Sequence, residues 1–207
     1  MTEKKRSYNL YSFALSVLVL IAVLVNAPNI FIYTYLIYNS ILILIALRIK
    51  DFNIVALGIL MICPYYLEQV LFNLGLVSLK SSDDDRLIQN SIIFGIQASI
   101  NLLPLYPLVK RMEIQSKLWP SVKIRATPAD EVFPWLQLCL ISLSFFCLIE
   151  NYLRNGLNYQ VQFFYDIFDI TGYIVFSITT AIMSFMTIDS YKNHRLSILP
   201  TLRNKQT

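Results

Sequence analysis

The sequence predicts an all-α, polytopic membrane protein with six transmembrane helices and both termini in the cytoplasm. Three observations predict it. Apolar residues make up 56% of the 207-residue chain and charged residues only 14%. Several apolar runs approach or exceed the roughly 18 to 20 residues that cross a bilayer as helix. Fourteen of the 17 lysines and arginines fall on one side of a six-span arrangement, the side that the positive-inside rule makes cytoplasmic. A soluble helical bundle needs polar outer faces, and Ser12–Val25, Ile30–Ala46 and Ile174–Met186 have none.

The chain reads as one membrane domain, 1–207, with spans at 10–25, 30–48, 53–79, 87–109, 133–154 and 162–190. Lys4, Lys5 and Arg6 precede the run Leu10–Val25. A basic start before an apolar segment also describes a secretory signal peptide. Pro28 after Val25-Asn26-Ala27 is a poor cleavage context, so a retained signal anchor is expected. Asn26-Ala27-Pro28-Asn29 makes the first turn. Tyr33, Tyr35 and Tyr38 in the second span suit a membrane interface.

The third span contains Pro64, where a missing backbone donor predicts a kink. A polar loop with Asp83-Asp84-Asp85 follows. The fourth span carries Asn90, Gln97 and Asn101, with Pro104 and Pro107 at its end. Gln97 and Asn101 share a face and are expected to hydrogen-bond between helices. Residues 110–132 form the longest connection, a basic cytoplasmic loop around Trp119-Pro120. Pro134 opens the fifth helix, where its lost donor costs little. The turn Asn155-Gly156-Leu157-Asn158 leads to the sixth. Residues 191–207 read as a polar, basic tail.

Chemistry is sparse. The single histidine, His194, lies in the tail, so bis-histidine haem, an HExxH zinc site and a Ser-His pair within the bilayer are excluded. Cys63, Cys139 and Cys147 all sit in apolar runs, as packing residues rather than disulfide or zinc partners. No catalytic set, metal site or cofactor is implied. Five glycines, without a GxxxG pair, leave little for tight small-residue crossings.

The exceptions are acids at membrane depth, which need a partner, water or a purpose. Asp166 and Asp169 lie three apart on one helical face. Glu150 and Asn151 end the fifth helix, and Glu68 and Gln69 follow Pro64. Antiparallel packing predicts that all six residues, with Asn90, share an outer-half vestibule able to bind a cation or share protons. The stretches Leu67–Leu76 and Ile149–Leu157 also resemble each other, an acid–amide pair followed by Asn and Gly-Leu, as a short duplication would.

Two functions compete. One is a non-enzymatic accessory subunit of an inner or plasma membrane assembly, with lipids and a membrane protein as partners. The other is a small cation- or proton-coupled permease or channel using the acids. An intramembrane enzyme on a lipid-linked substrate is a weaker third, lacking a nucleophile. Basic residues spread as topology requires give no support to nucleic-acid binding, and nothing in the sequence specifies oligomeric state.

Overall fold

A computed structural model describes residues 28–77, 86–122 and 124–203. It is helical throughout these segments: α1 (Pro28–Arg48), α2 (Phe52–Asn73), α3 (Arg86–Val109), α4 (Arg111–Leu118), α5 (Pro128–Asn151), a π-helical turn (Tyr152–Gly156) and α6 (Phe163–Arg203). All but α4 and the π turn are long and apolar enough to cross a membrane. Five of the six expected spans are thus present, and the first, 10–25, lies outside the described residues.

Each helix end has a local cause. The α1–α2 turn is a Schellman stop. Lys50 takes φ 59°, its N–H reaches Leu47 O, and the Asp51 N–H reaches Ala46 O. Asp51 then caps α2 by accepting from the Asn53 N–H at 3.2 Å. At the far end α2 stops at Asn73 rather than 79. Gly75 adopts φ +68°, a conformation that suits glycine, and its N–H returns to Phe72 O. The helix continues through Pro64, which is buried.

Residues 110–132 are not the loop expected. They contain α4, and α5 starts at Pro128 instead of 133. Thr127 and Asp130 form a capping box with Pro128 inside it. The Asp130 carboxylate accepts from the Thr127 N–H at 2.7 Å and the Thr127 hydroxyl at 2.8 Å. Likewise α6 does not end at 190 but runs on through the expected tail to Arg203.

Aromatic and aliphatic side chains of α1, α2 and α6 build the main core. Phe31, Tyr35, Tyr65, Tyr173 and Phe176 interlock by edge and stacked contacts. Gly58 lets the three helices close. A Cβ there meets Ile43 Cγ1 at 2.5 Å and Met183 Cε at 2.9 Å. A single glycine therefore does what no small-residue motif was available to do. A smaller cluster, Phe94, Leu143 and Cys147, joins α3 to α5 under Phe164, Ile167 and Phe168.

The helix ends meet in two polar layers. At the basic end, Arg111 is only 2% exposed. Its guanidinium offers five N–H donors, and all find acceptors. Nε and Nη2 hold the Asp130 carboxylate. Nη1 reaches Gln115 Oε1 at 2.6 Å and Asn53 Oδ1 at 3.2 Å. Nη2 also reaches Arg125 O at 2.8 Å. Gln115 donates on to Phe52 O. Asp51 receives the Ser190 hydroxyl at 2.6 Å and the Arg125 guanidinium at 2.9 Å. One network thus ties α2, α4, α5 and α6.

Removing one partner of a buried ion pair leaves a stranded charge. Arg111→Met is expected to cost about 3–5 kcal/mol of stability, read by chemical unfolding in micelles. Partial burial of Asp51 works to raise its pKa, but the Ser190 hydroxyl, the Arg125 charge and the Asn53 and Ile54 donors outweigh it and hold the carboxyl below its ordinary 3.8. A depressed acid stabilises the fold above its unfolded pKa and loses that contribution as pH falls through the folded value. Asp51→Asn should therefore flatten the acid side of a pH–stability curve below 3.8 and leave the slope unchanged above pH ~6.

Candidate functional site

The six expected site residues do not form one vestibule. They divide into three environments, because each side chain follows the rotational phase of its helix.

Glu150 and Asn151 form an internal knot. Glu150 is 2% exposed and Asn151 1%. Glu150 Oε2 accepts from the Tyr165 N–H at 2.7 Å, capping the first turn of α6, where a negative charge also meets the positive end of the helix. Asn151 uses its full amide. Nδ2 donates to Leu87 O and Ser91 Oγ, both at 2.9 Å. Oδ1 accepts from Asn155 at 2.6 Å and Asn90 at 3.3 Å. Asn90 therefore belongs with Asn151, as expected, and the knot fastens α3 to the end of α5. Arg154 lies over the Tyr165 ring, 5.0 Å from its centroid, and not against a carboxylate.

Glu68 stands on a different interface. It is partly buried and accepts from Gln97 Nε2 at 2.7 Å, linking α2 to α3. Gln97 thus makes the interhelical bond predicted for it, whereas Asn101 donates to Gln97 O within its own helix. Gln69 faces away, accepting from Asn73 at 3.4 Å. Asp166 and Asp169 are both exposed on α6 and take no hydrogen-bond or ion-pair partner among the described residues. The acid–amide pairs Glu68-Gln69 and Glu150-Asn151 hence have unlike surroundings.

A polar layer in the α1–α2–α5–α6 core was missed in the sequence. Asn39, fully buried, donates to Tyr35 O and Thr180 Oγ1. The Tyr35 hydroxyl lies 3.5 Å from Met61 O, and Gln137 Nε2 lies 3.8 Å from Met61 Sδ. Tyr65 OH, Gln137 Oε1, Ser177 Oγ and Thr179 Oγ1 are buried without partners. The signal was present as isolated polar residues in apolar runs, but nothing in the spacing said that they converge. Ser144 and Ser184 return their hydroxyls to the backbone. Cys63 and Cys139 are exposed, so only Cys147 packs in the core.

Among the described residues, no group of three or more His, Cys, Asp or Glu is placed to hold a metal ion. Fold and composition define the class: an all-helical, multi-pass, membrane-embedded protein. Compared with family models, curated proteins and solved structures, the chain matches none.

Glu150→Gln keeps a carbonyl oxygen for the Tyr165 N–H but sets an amide NH2 where Oε1 is buried without a partner, and should cost about 1–3 kcal/mol. Asn151→Ala strands buried donors and acceptors on two helices and should cost about 2–3 kcal/mol. Thermal unfolding of the two variants in one detergent checks both values.

Proposed function

We propose that the protein is a non-enzymatic accessory subunit of a cytoplasmic or plasma membrane assembly, with six spans, both termini cytoplasmic and the Arg111 layer on the cytoplasmic face. The support for a docking role is the pair Asp166 and Asp169. Both carboxylates are exposed on α6 among exposed Phe163, Tyr165, Ile170 and Ile174. Acids beside lipid-facing apolar side chains gain from a basic residue on a neighbouring helix. Glu68 and Glu150 have hydrogen-bond partners inside the bundle and are not free for that use.

A second reading, a small cation- or proton-coupled carrier, draws on one observation, the Glu68 carboxylate held inside the bundle by Gln97. Catalysis has no comparable support.

The docking reading is tested by purification in mild detergent from cells carrying the native or the Asp166→Asn, Asp169→Asn protein. A partner in fixed ratio should accompany the native chain, and the double variant should weaken retention by about tenfold, or 1.4 kcal/mol. Equal retention by both forms, or a partner-free native protein, contradicts it.

A further inference from the structure

Helix α4 is packed on one face only. Arg111 and Gln115, four residues apart, turn into the bundle and are each 2% exposed. Arg111 reaches Asn53 Oδ1 and Gln115 reaches Phe52 O, so α4 is seated on the start of α2. The Trp119 ring, just past its end, lies 6.1 Å from that of Phe52. The other faces are open. Met112 is 48% exposed, Leu118 63% and Trp119 39%. Glu113 and Lys117, also four apart, stand exposed on the face turned away from Arg111.

The neighbouring helices give this face its depth. Tyr106, five residues before Arg111, is 69% exposed, and Trp135, two turns into α5, is 72% exposed. Exposed rings of this kind collect where a membrane meets water. A helix tethered within about two turns of them lies among the polar headgroups. Its charge there is positive. Glu113 is shared between Lys117 at 2.8 Å and Lys110 at 3.8 Å, so one carboxylate faces two ammonium groups. Exposed pairs of this sort hold their partners weakly. Arg111 does not enter the balance, because Asp130 already holds it. Arg48 and Lys50, beside Asp51 in the same layer, are exposed cations as well. At headgroup depth, the medium that offers both an anion for the lysines and hydrocarbon for Met112, Leu118 and Trp119 is the leaflet itself.

We propose that the open face of α4, with Lys110, Met112, Lys117, Leu118 and Trp119, is a docking surface for anionic phospholipid in the leaflet at the Arg111 end of the bundle. It is independent of the docking role proposed for α6, since Asp166 and Asp169 lie in the first turns of that helix, far from Ser190, which joins the Arg111 layer.

The chain has two tryptophans, Trp119 and Trp135, so each can be isolated as a reporter. Trp135→Phe leaves Trp119 alone, and Trp119→Phe leaves Trp135 to report the general lipid shell. Each full chain is reconstituted in phosphatidylcholine bilayers, and fluorescence quenching is compared for brominated phosphatidylglycerol and brominated phosphatidylcholine at equal mole fraction. Trp119 should be quenched by both lipids, with an apparent affinity about fivefold higher for phosphatidylglycerol, the ratio expected for one net positive charge at an anionic surface. Adding Lys110→Gln and Lys117→Gln should bring that ratio to one or below and leave the ratio at Trp135 unchanged. High salt should reduce it without any substitution in α4, which keeps the test decisive if circular dichroism shows the lysine variant to be misfolded. Quenching of Trp119 by aqueous iodide but not by brominated lipid overturns the proposal. So does equal quenching by the two lipids, or a preference that survives in the folded lysine variant.

Discussion

The buried guanidinium of Arg111 is the constraint on which the basic end of the bundle depends. A charge removed from water is tolerated when every donor is met, and here all five are. Meeting them requires α4 to lie against the start of α2, the Arg125 carbonyl to turn inward and α5 to begin at Thr127. The register of three helices is thereby set by one side chain. Asp51 extends the same layer to Ser190 on α6. The opposite end is fixed by the Asn151 amide and the Glu150 cap. The bundle is clamped at both ends by polar layers, and the apolar packing around Gly58 fills the space between.

That arrangement sorts the intramembrane polar groups into two kinds. Asn151 and Arg111 are saturated and hold helices in place. Tyr65, Gln97 and Asn101 retain buried oxygens without partners, as do Glu150, Gln137 and Thr179. Saturated networks rigidify a bundle, whereas open ones are where a membrane protein takes up water, ions or protons. The acids that looked alike in the sequence therefore have different work: Glu150 caps a helix, Glu68 joins α2 to α3, and Asp166 with Asp169 faces outward.

Much of the fold was legible. Apolar length alone placed five described spans, because a bilayer demands about 20 residues whatever the tertiary contacts. Local signals for two boundaries were also present. Gly75 stops α2 by taking a left-handed conformation, and Thr127-Pro128-Ala129-Asp130 starts α5 as a capping box. Helix α4 was harder, since its eight residues carry little intrinsic tendency to form and depend on Arg111 meeting partners far along the chain. The site was least legible. Spacing shows which residues share a face of one helix, as for Asp166 and Asp169. It does not show how that face is turned toward its neighbours, which separated Glu68 from Glu150.

Amide hydrogen exchange of the protein in nanodiscs tests the Arg111 clamp most directly. The Ile114 and Trp119 N–H groups of α4 and the Asp130 N–H of α5 are hydrogen-bonded. The clamp predicts that they are slow to exchange and that Arg111→Met accelerates all three together. Loop-like exchange across 111–130 in the native protein, or acceleration confined to α4, contradicts it.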